Sequence, residues 1–247
     1  MLDVGSRRNM VIEYIFTMDE AKLRHQVNLD REFDSSLVRD DVPEWTHLTY
    51  NQCSNCPLTV KDCQHCPVAI DLEAVVSDFR DYSAETHVNL QVLTPDREYF
   101  KETRLEEGLR SLMGLIMATS ACPILSVLKS NARNHLPFVS QEEFILRTSA
   151  FYLLRQYFLY RQGRRPDWDL QGMIHFNQEL QLLNQAFWQR IYSACDSDSN
   201  LKVLYSLFNY SSSISYSLDA ELQKIKEMML KDGSLAVPGN EPSTNLF

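Results

Sequence analysis

No apolar run in this 247-residue chain approaches the length of a bilayer. The longest, such as Leu112 to Ala118 and Phe151 to Leu154, fall far short of the roughly 18–20 residues that a membrane-spanning helix requires. An uninterrupted apolar core is missing near the N-terminus as well. Arg7 and Arg8 are followed by Glu13 and Asp19, so no secretory signal is read there and a cytoplasmic location is expected. Clustered basic charge is scarce: the formal net charge is −9, and the one basic group is Arg161, Arg164 and Arg165 beside Gly163 and Pro166. Phosphate affinity comes from clustered Lys and Arg, so nucleic-acid binding is not expected. The three arginines read more simply as basic residues that complement a helix C-terminus. A phosphate-cradling glycine loop, a nucleophile elbow, a paired-histidine zinc motif and a solenoid repeat are all missing.

What is present is an ordinary folding sequence, with 44% apolar and 23% charged residues. A chain of this length can bury roughly 70–75% of its unfolded surface. Residues 1–9 read as a disordered leader, with Met10 a plausible alternative start. The β-rich run Met10–Met18 and the alternation of Leu23, His25, Val27 and Leu29 with polar neighbours predict two strands joined as a hairpin through Asp19-Glu20-Ala21. Residues 31–43 read as a polar loop, and Trp45–Tyr50 as a third strand. A short helix over about 68–79 places Ile70, Ala74 and Val75 on one face. Val88, Leu90 and Val92 mark a further strand, which Thr94-Pro95-Asp96 turns towards Tyr99.

The rest reads as helical. Leu105, Leu109, Leu112, Met113, Ile116 and Met117 fall at three- and four-residue steps, and Cys122-Pro123 closes that helix. Ser140 with Glu143 has capping-box spacing and opens a long helix to about Arg161, which Gly163 stops. A third helix, about 169–194, carries Leu170, Ile174, Leu180, Leu183, Phe187 and Ile191. Helices are also read at 201–210 and 217–231, with residues 211–217 as a serine-rich linker. The expected fold is α+β: a small, mainly antiparallel sheet with a cysteine loop, then a helical, bundle-like half. The expected units are 10–103 (α+β) and 104–232 (helical), with a disordered tail at 233–247.

The most informative segment is Cys53-Ser54-Asn55-Cys56-Pro57-Leu58-Thr59-Val60-Lys61-Asp62-Cys63-Gln64-His65-Cys66-Pro67. Two residues between cysteines let both thiolates of one turn converge on an ion, and two such turns supply four sulfurs. Only Cys122 and Cys195 lie outside this stretch. In a reducing compartment, disulfides are disfavoured, leaving a metal as the expectation. Structural zinc on Cys53, Cys56, Cys63 and Cys66 is the leading reading, with an iron–sulfur cluster or thiol redox chemistry as alternatives. Pro57 and Pro67 follow the second cysteine of each pair and cannot donate an N–H to sulfur. His65 is read as standing beside the ligands or facing solvent. The gap between the pairs is too short for a reading helix.

A second candidate region is the polar segment containing Asn131, Arg133 and His135, which follows Cys122 and could line a cleft. Cys122 and His135 could act there as nucleophile and base. Cys122 amid Ala, Ile and Leu reads more simply as a small buried apolar residue, with Thr119 and Ser120 bonded to backbone. Glu142 and Glu143 are explained by the helix N-terminus. Trp168, Trp188, Tyr152, Tyr157 and Tyr160 read as packing aromatics.

The order of segments, with Trp45-Thr46, the cysteine loop, Leu112 to Pro123, His135-Leu136-Pro137-Phe138 and Leu154-Arg155-Gln156-Tyr157-Phe158, resembles an uncharacterised bacterial family, a domain of unknown function. The resemblance covers roughly Met10 to Ala194. It implies a bacterial, cytoplasmic protein with a metal-type cysteine loop and no activity to carry over to any residue. The expected function is a non-enzymatic, zinc-stabilised binding or regulatory protein whose helical half recognises a protein partner or itself. The alternatives are an enzyme with a cleft near Cys122 and His135, or a redox sensor using the four cysteines.

Overall fold

A computed structural model describes residues 10–19, 21–31, 41–194, 218, 220 and 222–226. Alternating side chains produce β1 (Val11–Thr17) and β2 (Lys22–Asn28), an antiparallel hairpin that pairs Ile12 with Val27 and Phe16 with Leu23. Met18 donates its N–H to the Ala21 carbonyl at 2.8 Å to close the turn. β3 (His87–Leu93) pairs with the other edge of β1, and β4 (Glu98–Arg104) with β3. The sheet order is β2-β1-β3-β4, antiparallel throughout. β4 is an addition to the sequence reading. It has no fully buried residue, so it lacks the apolar alternation that marks β3.

One face of the sheet is buried through Tyr14, Phe16, Val88, Leu90 and Val92. They share a single hydrophobic cluster with α1 (Pro67–Asp78), α2 (Leu105–Thr119) and residues of α5 (Gln171–Ala194). The predicted stripe of α2 holds in full: Leu105, Leu109, Leu112, Met113, Ile116 and Met117 are all buried. Each such side chain contributes on the order of 1.5–3 kcal/mol by leaving water. Close approach of helix to sheet is made possible at Gly108. A Cβ there would stand 2.7 Å from both Leu90 Cδ2 and Phe16 Cε1.

After α2 the chain makes a 3-10 turn, Leu125–Leu128, and the short α3 (Lys129–Ala132). The long α4 (Gln141–Arg161) begins at the predicted capping box: Ser140 Oγ accepts from the Glu143 N–H at 3.1 Å, and Glu143 Oε2 accepts from the Ser140 N–H at 2.8 Å. Gly163, at φ +73°, ends it in the left-handed conformation that glycine adopts without strain. A second cluster joins Ile145, Leu170, Met173 and Leu218. Leu218, Ala220 and residues 222–226 are helical, within the predicted 217–231 segment. The readings for 1–9, 201–210, 211–217 and 233–247, and most of that for the loop 31–43, lie outside the described residues.

Three expectations are corrected. Trp45–Tyr50 is not a strand but a 3-10 turn, Glu44–Thr46, followed by a single bridge from His47 to His65. The carbonyls of Trp45, His47 and Leu48 are taken by an arginine side chain, so no ladder forms. In α1 the buried face is Val68, Ala69, Leu72, Val75 and Val76, whereas Ile70 is half-buried and Ala74 exposed, because the three- and four-residue steps from Val68 to Leu72, Val75 and Val76 face the core and turn those two positions away. Finally, Tyr157, Tyr160 and Trp168 do not pack inward. The second half of α4 buries only Gln156, leaving Tyr157 42%, Tyr160 58% and Trp168 51% exposed.

Candidate functional site

The cysteine segment folds back on the chain that precedes it. Leu48 donates to the Gln64 carbonyl and Cys66 to the Thr46 carbonyl, both at 2.8 Å, which lays residues 46–48 against 64–66. Within the loop, the Cys56 N–H meets the Cys53 carbonyl at 3.0 Å, and Asp62 Oδ2 accepts from the Thr59 N–H and Oγ1. His65 is buried, with Nδ1 3.0 Å from Thr46 Oγ1 and its ring stacked on His47, so it does not face solvent.

The described cysteines, Cys53, Cys56, Cys63, Cys66 and Cys122, are free thiols. They lie close enough to influence one another. Burial pushes Cys53 up to about 12, and Cys66, Cys56 and Cys122 reinforce the shift. Cys66, the residue before α1, is raised by burial, opposed by Arg190 and by the N–H groups of Ala69 and Val68. Cys122 is pushed up to about 11 by burial, opposed by the N–H groups of Leu125 and Ile124. Those two N–H pairs, each two and three residues past the cysteine, are donors that sequence spacing alone did not reveal. Cys63 is raised by burial and then by Cys66, Asp62 and Cys56. Among the described residues no three His, Cys, Asp or Glu side chains converge tightly enough to hold a metal ion. The thiols share a neighbourhood but not a common point.

Arg190 is one residue that sequence reasoning missed. It is 2% exposed and donates to the carbonyl oxygens of Trp45 (2.5 Å), His47 (2.6 Å) and Leu48 (3.3 Å). Its sequence signal is an arginine on the buried stripe of α5 that also carries Phe187 and Ile191. The loop grips α5 elsewhere too: Asn55 Nδ2 donates to the Glu179 carbonyl and carboxylate, and Asn51 to Gln189 O and Ser193 Oγ.

On the other side of α2 lies an apolar pocket of about 200 Å³, walled by α2, α3, α4, α5 and the segment between α3 and α4. Asn131 and His135, the predicted cleft residues, line it. Arg133 instead lines an adjoining polar depression and pairs with Asp30 at 2.9 Å. Cys122 sits with the loop thiols, and no hydrogen bond joins it to His135. His135 Nε2 is 2.5 Å from Tyr14 Oη, which is 2.7 Å from Ser111 Oγ. Burial and then Arg147 hold His135 down to about 4, so the ring is neutral at pH 7. With Nδ1 carrying the proton, Nε2 accepts from the Tyr14 hydroxyl, and Tyr14 accepts from Ser111. Tyr14 shares the inward face of β1 with Ile12 and Phe16, where a hydroxyl needs such a partner.

No helix among the described residues is long and apolar enough to cross a membrane. Fold and geometry together define an α+β protein with a cysteine-rich loop clamped to one wall of a helical pocket. More particularly, the chain belongs to the DUF6901 family, a domain of unknown function, whose model matches residues 11–230. No curated protein and no solved structure matches it.

Proposed function

We propose that this is a non-enzymatic binding protein in which structural zinc on Cys53, Cys56, Cys63 and Cys66 fixes α5, and with it the pocket that takes the ligand. The observation that carries this reading is the shared helix. Asn51, Asn55 and the carbonyls of Trp45, His47 and Leu48 hold α5 from the loop side, while Leu180 and Asn184 of the same helix line the pocket.

The donor chemistry supports a metal, whose binding would have to draw onto one point thiols that share a neighbourhood but do not converge among the described residues. Four thiolates around a divalent ion leave a double negative charge, and Arg190 supplies a buried positive charge beside Cys66, Cys53 and Cys56. Burial raises the thiols, so a cation is needed to hold them as thiolates. Four sulfurs leave no open position for water or substrate, which makes such a zinc structural.

Elemental analysis of the purified protein, read with its absorption spectrum, tests the proposal. One zinc per chain and a colourless solution are expected. Iron with a brown chromophore would transfer the segment to electron transfer or redox sensing. Metal-free protein whose melting is unmoved by a chelator would overturn the zinc assignment.

A further inference from the structure

We infer that the pocket between α2, α4 and α5 takes a small amphipathic monocarboxylate, its apolar body among Leu115, Leu125, Phe144 and Phe151 and its carboxylate against Arg147. This rests on the reading of the pocket as the binding site and adds the chemistry of what fills it.

The size comes first. Apolar cavities of about 150 Å³ admit benzene, and this one measures about 200 Å³. An aryl group or a chain of roughly eight carbons is therefore the scale of occupant. The mainly apolar surface of the pocket favours an apolar body over a ligand that is polar throughout.

The charge comes from Arg147. Arg147 lines both the pocket and the adjoining depression, so it stands at the boundary between them. It donates to the Asn134 carbonyl, and no carboxylate lies within ion-pairing distance among the described residues. Glu143, one turn earlier on α4, is nearby but its carboxylate is committed to the Ser140 cap. Burial lowers Arg147 from its ordinary value, yet an arginine remains charged at any ordinary pH. A half-buried cation that lines an apolar cavity and has a carbonyl but no ion-paired carboxylate is stabilised by an incoming carboxylate, which arginine binds through two parallel N–H groups.

The other charged groups do not reverse this sign. Glu107 and Arg110 line the same pocket, and the Glu107 carboxylate already accepts from Lys101 Nζ at 2.6 Å and from Thr103 Oγ1. Lys101 lies 5.6 Å from the centroid of the Phe138 ring, another lining residue. Among the lining residues, Arg110 and Arg147 thus accompany one carboxylate, Glu107, which is itself paired with Lys101. His135, neutral at pH 7, adds no charge.

The test is calorimetric titration of the full-length protein with octanoate and, separately, with 1-octanol, at pH 7.5. Octanoate is expected to bind at least tenfold more tightly than octanol. Arg147→Gln should remove that preference, bringing octanoate to the level of octanol and leaving octanol unchanged. Arg147→Lys should restore part of it. Melting curves on each variant establish that the fold is retained, and the wild-type comparison of the two ligands stands without any variant. Equal affinity for the two ligands, or octanoate binding that survives Arg147→Gln, would overturn the carboxylate assignment while keeping the pocket. Binding of neither ligand at millimolar concentration would overturn the pocket reading itself.

Discussion

Arg190, near the end of α5, donates to the carbonyl oxygen of Trp45 at 2.5 Å across 145 residues of chain. Two further carbonyls, of His47 and Leu48, accept from the same guanidinium. The contact explains why residues that read as a strand form a turn instead, since their backbone acceptors are satisfied from the side by one forked donor. Arg190→Met is therefore expected to destabilise the protein by about 1–3 kcal/mol, the cost of leaving buried carbonyl acceptors without a donor. Lysine, a single point donor, should recover only part of that. Urea denaturation measures both, and a shift below about 1 kcal/mol at unchanged slope would show that the guanidinium is dispensable.

How much of this was legible in the residues follows from where the information lies. The α2 stripe, the Ser140-Glu143 box and the Gly163 stop are local patterns, and each stands in the structure where its spacing placed it. The segment 45–50 was misread because its partner is a side chain more than 140 residues away, which no window can see. β4 was passed over because an edge strand need not bury a face. At the candidate site, Asn131 and His135 were found as polar residues between apolar helices. Tyr14 and Arg147 were not, because a tyrosine on a strand and an arginine on a helix carry no local mark of what they will face.

Acid should loosen the fold through His135. Its folded value, about 4, lies below the ordinary 6.5, so between those values the unfolded chain binds a proton that the folded chain does not. Stability therefore rises with pH from about 4 to about 6.5 and is lost as pH falls through that window. A shift of this size corresponds to about 3 kcal/mol. His25 is also lowered by burial, against the pull of Asp78, and adds a slope of the same sign. His135→Gln, which keeps an acceptor for Tyr14, should flatten most of the slope. Stability profiles of wild type and variant that run parallel from pH 4 to pH 7 would contradict this assignment.

Gly108 tests how tightly α2 rides on the sheet. In an open helix, Gly→Ala stabilises by about 0.5–1 kcal/mol. Here the added methyl would meet Leu90 and Phe16 at 2.7 Å, and overpacking a filled core costs typically about 1–3 kcal/mol. Both neighbours are fully buried, so neither can swing into solvent. The clash should win, and Gly108→Ala should lower the melting temperature by several degrees. A rise would mean that the helix has room to shift.

Serine substitutions at the five described thiols discriminate between the ligand sets available to the metal. The spacing pairs Cys53 with Cys56 and Cys63 with Cys66. Cys122 is a fifth thiol, felt by Cys53 directly and itself affected by Cys66 and Cys56. If zinc takes the two sequence pairs, Cys63→Ser should cost at least a tenfold loss in zinc affinity, while Cys122→Ser retains full stoichiometry. Ligation must also stabilise the fold. A chelator that removes the metal should cost about 3 kcal/mol, roughly 6–12 °C in melting temperature for a chain of this size. Competition with a colorimetric zinc indicator gives the affinities, and scanning calorimetry with and without chelator gives the melting shift. The reversed result, zinc kept by Cys63→Ser and lost by Cys122→Ser, would make the α2 terminus the fourth ligand and turn the metal into a direct staple between the loop and the helix that walls the pocket.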